Sequence, residues 1–369
     1  MKKRVSNIIL LLIAFVYSSC AQIQHFTWQD KQREYLFYTP ANHDGSLPVL
    51  YFLHGLGDII TGCDEEFNFG QLAEDFGWAI VVPQALTQGV FGTMWNAGLI
   101  SSTIDDVGFL LALLDSLTEQ YQLDPDSVFF TGFSMGGFMT YRMAIEHGDR
   151  ITACAPVSGL ISTLDATKTP IAPVRILHIH GTNDNLVGYN GVSFGSTLGL
   201  GVDAIFNYWQ NTNACNGEPD IDTLPNLKID GLRFIRYTYP CGTDLQHLKV
   251  VGGTHRWYHD ADLYDVGYED VIYEFFTGQT APSRTPVREK NHLVYYPNPT
   301  NGILNVQFDS DSPISEIHVF DAYGKLVDVI ETFQGTSLHT VQIDLSCHPN
   351  GVYFVQNPNG TVAKVVLQR

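Results

Sequence analysis

Basic residues are scarce in this chain: 20 Lys and Arg stand against 39 Asp and Glu, a formal net charge of −19 over 369 residues. So acidic a surface repels phosphate backbones and makes nucleic acid a poor partner; its plain use is solubility. Long apolar runs are also missing beyond the first residues. Residues 1–21 open with Lys2, Lys3 and Arg4, carry an apolar stretch over 8–16 that is short for a bilayer, and end in Ser18-Ser19-Cys20-Ala21. That is the pattern of an export signal cut after Ala21. Cys20 raises a lipid-anchored N-terminus as the rival, against which stands Tyr17, where lipoprotein signals usually carry Leu or a similar aliphatic residue. With no later apolar stretch long enough for a membrane helix, no membrane span is expected once the signal is removed.

Cysteine is sparse and, beyond the signal, odd in number: Cys63, Cys154, Cys215, Cys241 and Cys347. Cys215 and Cys241 flank a polar, Pro-containing excursion, and a bridge between them would close a loop worth about 3 kcal/mol in an oxidising compartment. Cys154 reads as an inert core thiol. Metal-ligand spacing is lacking as well. His178 and His180 lie two apart on one strand pattern and so share a face, but no third ligand has recognisable spacing, and neither metal nor cofactor is expected.

What is present begins with a hydrophobic content of 44% and an aromatic content of 12%, which mark a globular chain of about two domains. Residues 128–131 are a β-branched and aromatic run, residues 138–145 have helical apolar spacing, and between them lies Gly132-Phe133-Ser134-Met135-Gly136. A serine in a sharp strand-to-helix turn has its hydroxyl pushed clear of the backbone, and small neighbours are needed where the chain doubles back. Ser134 is therefore the candidate nucleophile. The N–H of Met135, at the helix start, is placed to meet an oxyanion. A strand over 48–53 runs into His54-Gly55-Leu56-Gly57, where a second oxyanion N–H is expected on Leu56, with His54 stabilising the turn.

Further along, a helix is expected over 67–76, a strand over 78–83, and an amphipathic helix from Asp105 to about Tyr121, with Asp105 and Asp106 favoured at its start by the dipole. Strands over 152–157 and 174–179 follow. The second leads into Gly181-Thr182-Asn183-Asp184, where Asp184 sits as a triad acid would, its rival being an Asx-turn role. A last strand over 248–251 leads to Gly252-Gly253-Thr254-His255. His255 completes the order Ser, Asp, His as the general base. His247 is expected before that strand, at its wrong end, and His259 in a helix beyond it. Alternation of strands and helices over 48–276 predicts a doubly wound, mostly parallel α/β sheet. Trp95, Asn96 and Trp257 are candidates to line a substrate cleft, with core packing the equal alternative for each. Residues 279–293 read as a linker, and 294–369, with short alternating strands and turns such as Asn301-Gly302 and Asn350-Gly351, as a small all-β sandwich.

With these motifs in hand, residues 30–277 resemble the secreted α/β-hydrolase esterases of the polyhydroxybutyrate depolymerase and feruloyl esterase type. The match runs through Leu53-His54-Gly55, Trp95-Asn96-Ala97-Gly98, Asp105-Asp106-Val107, Gly132 to Gly137, His180 to Asp184, and Gly252 to Trp257. It implies Ser134, Asp184 and His255 as the triad of an esterase domain over 22–278, supports a Cys215–Cys241 bridge, and implies an ester substrate that can be polymeric. Thr254 and Tyr258 stand where that family usually has a third glycine and a proline, which leaves open the specificity near Trp257.

Residues 294–369 resemble the C-terminal sorting domain of type IX secretion through Tyr296-Pro297-Asn298-Pro299, Val319-Phe320-Asp321-Ala322-Tyr323-Gly324-Lys325 and Gly351-Val352-Tyr353-Phe354. The resemblance implies the type IX machinery as partner and a secreted or cell-surface location; a polymer-binding module is the alternative for so small a β domain. The expectation for the whole chain is a serine carboxylic ester hydrolase acting on feruloyl or acetyl polysaccharide esters or short-chain polyesters. A catalytically inactive surface binding protein on the same fold, and a serine peptidase, are the alternatives.

Overall fold

The structure, a computed structural model, describes residues 22–43, 45–194, 196–228, 230–259, 264–282, 294–296, 298–308, 316–321, 325–331, 339–356 and 362–369. The expected signal over 1–21, most of the expected linker and Ala322-Tyr323-Gly324 of the sorting-domain motif lie outside them. The chain divides into two compact units, residues 1–284 and 285–369.

The first unit is built, in chain order, from β1 (Gln24–Trp28), β2 (Lys31–Tyr38), β3 (Leu47–Leu53), α1 (Ile60–Phe67), α2 (Phe69–Phe76), β4 (Ala79–Pro83), α3 (Asp106–Tyr121), β5 (Leu123–Phe133), α4 (Met135–His147), β6 (Ala153–Val157) and β7 (Arg175–Gly181). A small hairpin of β8 (Val192–Phe194) and β9 (Ser196–Gly199) comes next, then α5 (Val202–Thr212), β10 (Asp220–Thr223), β11 (Arg233–Tyr239), β12 (Leu245–Val251) and α6 (Tyr268–Thr277). Ten of these strands form one sheet in the order β1-β2-β4-β3-β5-β6-β7-β12-β11-β10. The six from β4 to β12 run parallel, and an antiparallel pair flanks them on each side.

Why β3 sits near the middle is legible in its residues. Val49, Tyr51 and Leu53 enter one core while Leu50 and Phe52 enter the other, so the run is apolar throughout, as a strand buried on both faces must be. β5, its neighbour, places Phe130 on the first face and Phe129 on the second. The parallel strands point their C-terminal ends the same way, and three of the turns that follow them, after β5, β7 and β12, carry Ser134, Asp184 and His255.

Three local expectations are corrected. The helix expected over 67–76 starts at Phe69 as α2, and a further helix, α1, precedes it, the two separated by Asn68 in the left-handed region at φ 49 and ψ 60. The polar excursion between Cys215 and Cys241 contains β10 and β11, which extend the sheet beyond β12, and those two cysteines are bonded to each other. β12 starts at Leu245 rather than 248, so His247 lies inside the strand and is buried. Asp106 does more than favour the start of α3: Asp105 caps Gly108 N–H, while Asp106 is buried and paired with Arg33 Nη2 at 2.7 Å.

In the second unit β13 (Val294–Tyr296), β14 (Ile303–Phe308) and β17 (His339–Asp344) form one sheet, and β16 (Leu326–Glu331), β15 (Glu316–Asp321), β18 (Gly351–Gln356) and β19 (Val362–Leu367) the other. All pairings between these strands are antiparallel. Leu304, Val306 and Ile343 from the first sheet share a core with Ile317, Val319, Val355 and Val365 from the second, which is the sandwich read from the alternation.

Candidate active site

Ser134 stands between β5 and α4 at φ 55 and ψ −117, a conformation that side chains rarely adopt. The turn is that sharp because α4 starts almost against β3. A Cβ on Gly136 would lie 1.8 Å from the Leu53 carbonyl oxygen, and one on Gly132 would lie 2.6 Å from the Gly136 backbone. Only glycine fits either place, so both glycines of the motif answer to a contact. Ser134 occupies the N-cap position of α4 but its hydroxyl caps nothing. Its N–H is held by Val157 O at 2.9 Å, and its carbonyl accepts from Gly137 and Phe138.

The turn after β3 lies beside it: a Cβ on Gly55 would come within 3.6 Å of Ser134 Cβ. Among the described residues the backbone N–H groups of Leu56 and Met135 donate to no acceptor, which is the condition expected of an oxyanion pocket waiting for its charge. His54 is what fixes this turn. Its Nε2 accepts from Ala85 N–H at 3.0 Å and stands 2.8 Å from Gln84 Nε2, its Nδ1 donates to Gly55 O at 2.7 Å, and burial pushes its pKa down to about 4.

Asp184 and His255 meet across the ends of β7 and β12. The two loops run close: Asn183 N–H donates to Gly253 O at 2.8 Å, Gly252 N–H to Thr182 Oγ1 at 3.0 Å, and a Cβ on Gly181 would come within 2.3 Å of Gly253 O. Asp184 Oδ2 lies 2.7 Å from His255 Nδ1, while Oδ1 accepts the N–H groups of Leu186 at 3.0 Å and Val187 at 2.8 Å. Burial alone would raise the pKa of this carboxyl, but the N–H groups of His180, His255 and Val187 that face it override burial and hold the group well below the usual carboxylate range. The Asx-turn bonds and the link to His255 are thus made by one side chain, each by a different oxygen.

The His255 ring packs on Phe133, the residue before Ser134, at 4.8 Å between centroids. Ser134 Oγ and His255 share no hydrogen bond in this structure. Thr254 and Tyr258, the two departures from the esterase pattern, touch each other: Thr254 N–H donates to the Tyr258 hydroxyl at 3.0 Å, directly beside His255.

A cavity of about 250 Å³ opens next to His255, with Phe52, Phe67, Phe133 and Trp257 among its lining and Glu66 and Arg256 adding charge. Trp257 therefore contributes to a cavity wall, where Glu269 Oε1 accepts its Nε1–H at 3.0 Å. Trp95 does not. It is 1% exposed and donates its Nε1–H to His54 O at 3.0 Å, so it braces the turn from beneath. Asn96 is likewise a brace: its Nδ2 donates to Ile104 O at 2.7 Å, and its carbonyl and Oδ1 both accept from Arg142 Nη1. A second cavity of about 270 Å³, around Tyr38, Asp64 and Glu74, has no serine or histidine in its lining.

The competing histidines are accounted for. His247 lies within β12, its Nδ1 bonded to His178 O at 3.0 Å and its Nε2 facing the Tyr189 hydroxyl at 2.8 Å, and burial lowers its pKa to about 3. His259 precedes α6 instead of lying in it, with Nδ1 2.5 Å from Glu269 Oε1 and Nε2 3.0 Å from Glu66 Oε1. Burial lowers the His259 pKa, but its two carboxylate partners outweigh that and raise it to about 9. Sequence reading missed the Glu66–His259–Glu269 cluster because its members are 193 and 10 residues apart. Among the described residues no group of three or more His, Cys, Asp or Glu is arranged to hold a metal ion.

Comparison with known proteins gives two family matches. Residues 68–195 match the dienelactone hydrolase family and residues 294–368 the secretion system C-terminal sorting domain. The second match marks the chain for type IX secretion, to the cell surface or the extracellular space. Feruloyl esterase C of Emericella nidulans is 33% identical over 259 residues, covering 66% of this chain and 83% of that protein. The bifunctional acetylxylan esterase/xylanase XynS20E of Neocallimastix patriciarum is 28% identical over 242 residues, covering 64% of this chain. The chain spans 33% of the length of that protein and 35% of feruloyl esterase B of Piromyces equi, about a third of each. Among solved structures, an acetyl xylan esterase from Aspergillus awamori superposes with a TM-score of 0.51 at 15% identity, over 69% of this chain and 98% of that one, a likeness of fold.

Proposed function

We propose, because the chain belongs to the α/β-hydrolase esterase family of feruloyl esterase C, that it is an exported carboxylic ester hydrolase working through an acyl-serine intermediate. The observation that carries this reading is Ser134 on its strained turn, beside two unbonded N–H groups, with His255 packed on the preceding residue and anchored to Asp184. Substrate binding draws Ser134 Oγ and His255 Nε2 into the bond that is open in the free protein, as is common for such pairs. His255 then takes the hydroxyl proton as Ser134 Oγ attacks the ester carbonyl. Asp184 holds the imidazole by Nδ1 and stabilises the imidazolium. The tetrahedral oxyanion is met by Met135 N–H and Leu56 N–H, and its collapse returns the proton from His255 to the leaving alcohol. Water repeats the sequence on the acyl-serine, with the carboxylic acid leaving.

The names of the relatives support feruloyl or acetyl esters of plant polysaccharide as the substrate class. The aromatic lining of the cavity beside His255 suits an acyl group with an apolar body. Short-chain polyester is the remaining ester class. A release assay on feruloylated arabinoxylan, acetylated xylan and polyhydroxybutyrate side by side selects among them.

The mechanism is tested by a fluorophosphonate probe and by Ser134→Ala. The parent labels at Ser134 and hydrolyses p-nitrophenyl acetate, while the variant does neither, with kcat lower by several orders of magnitude. A parent that resists the probe would favour the inactive binding protein, and a variant as fast as the parent would remove Ser134 from the chemistry.

A further inference from the structure

His180 is the penultimate residue of β7, and nothing in the ester chemistry above uses it. It is fully buried, with Nδ1 lacking a partner among the described residues. Its Nε2 lies 2.8 Å from Val187 O and 3.5 Å from Asp184 Oδ2. Both neighbours are acceptors, so the proton belongs on Nε2. Val187 is the residue whose N–H donates to Asp184 Oδ1, so His180 and Asp184 grip the same residue from its two polar ends. The short bond pins the turn. The longer contact, too long for a full hydrogen bond, turns a positive N–H edge toward the oxygen that His255 also uses.

We propose that His180 is a positioning residue for the proposed triad, fixing the Asp184 carboxylate through Val187 and sharing the charge of Oδ2 with His255. The inference rests on the reading of Ser134, Asp184 and His255 as the catalytic set. Two side chains packed behind His180 complete the arrangement. His178, 5.2 Å away between ring centroids, is fully buried and takes its bond from the Tyr141 hydroxyl at Nδ1. Tyr189 meets the His180 ring edge-on at 5.8 Å and passes its own hydroxyl to His247. Neither offers His180 a carboxylate, so Asp184 is the only acidic group the structure brings to it among the described residues.

Chain reach separates a positioning role from mere packing. Gln can carry an N–H to about the place of the imidazole Nε2, Asn falls short of it, and Leu fills the space without a donor. With p-nitrophenyl acetate as substrate, His180→Asn and His180→Leu should lose roughly 10–100-fold in kcat, as a misplaced catalytic group does, with KM little changed. His180→Gln should recover most of that loss.

The acid limb of kcat/KM should also move. Without the His180 N–H the Asp184 charge falls wholly on His255 and holds the imidazolium more tightly, so the limb moves upward in the Asn and Leu variants. Equal kcat and an unmoved limb for Asn, Gln and parent would overturn the proposal, as would a Gln variant no better than Leu. If the Leu variant does not fold, the Asn and Gln pair decides alone. Asp184→Asn in the parent separates the layers: if it keeps full activity the triad reading itself fails, whereas its loss alongside an unaffected His180→Asn sinks only the role of His180.

Discussion

Ser134 is held at φ 55 and ψ −117, and the strain can be measured apart from the chemistry. Ser134→Ala and Ser134→Gly both remove the hydroxyl, so both should abolish ester hydrolysis. They differ in the Cβ. A side chain in so sparsely populated a conformation costs about 1–3 kcal/mol, which Ala keeps and Gly relieves. Gly in turn costs about 0.5–1 kcal/mol through the freedom it adds to the unfolded chain. Little packing is lost with the Cβ, whose near neighbour Gly55 has none of its own. The balance predicts that Ser134→Gly is the more stable of the two inactive proteins by about 1 kcal/mol, or about 2–4 °C in Tm for a unit of this size. All five tryptophans lie in the first unit, so urea denaturation followed by tryptophan fluorescence reports on it alone. If Gly comes out less stable than Ala by the ordinary glycine penalty, the turn stores no strain and the argument from its geometry fails.

Three further outcomes follow from the supports of the site. His259 has its pKa raised in the folded state, to about 9, so its contribution to stability is whole below the unfolded value near 6.5 and is lost as pH rises through 9. Glu66 is largely exposed and its share is screened, so about 2 kcal/mol should disappear between pH 7 and 10 in denaturant titrations of the parent, and far less in His259→Gln. Asp106→Asn leaves Arg33 buried without its counter-charge and should cost about 3–5 kcal/mol by urea denaturation; a cost under 1 kcal/mol would mean the pair is not buried as described. Cys215→Ser with Cys241→Ser opens a loop of 26 residues' separation and should lower stability by about 3 kcal/mol, an effect that dithiothreitol on the parent should reproduce.

Much of the sheet could be read from residue order because its central strands are apolar on both faces and end in turns whose glycines answer to hard contacts. Gly132 and Gly136 are an example: a motif read as needing room proved to need it against Leu53 O. The edge was not legible. β11, Arg-Phe-Ile-Arg-Tyr-Thr-Tyr, is mostly half-buried and follows a polar, proline-bearing stretch, so its strand pattern sank into what looked like a loop. The break at Asn68 escaped for another reason, since a single left-handed residue between Phe67 and Phe69 leaves no mark in the apolar spacing from which the helix start was read. For Trp95 and Asn96 the choice between lining a cleft and packing stayed open in the sequence, because a Trp-Asn pair carries no mark of which way it packs. The structure turns Trp95 inward onto the His54 carbonyl.

The choice of His255 as the proposed base can be argued by what the other imidazoles of the first unit are doing. Around the C-terminal ends of the parallel strands, His54 has its Nε2 filled by Ala85 N–H and Gln84 and its pKa lowered to about 4, so it neither takes nor gives a proton near neutrality. His178 and His247 are buried and pushed down by burial. His259 is driven the other way by two carboxylates and is already charged, which disqualifies a base. His180 has its donor nitrogen turned to Val187 and Asp184. His255 alone in this group combines one nitrogen fixed on a carboxylate with a second that has no partner among the described residues, on a side chain 11% exposed and packed beside the serine turn. The sorting of these rings follows from burial and partners that the fold imposes. Replacing Glu269 with Gln, which releases His259 and loosens its grip on Trp257, should therefore lower the stability of the loop without handing the proton transfer to another histidine.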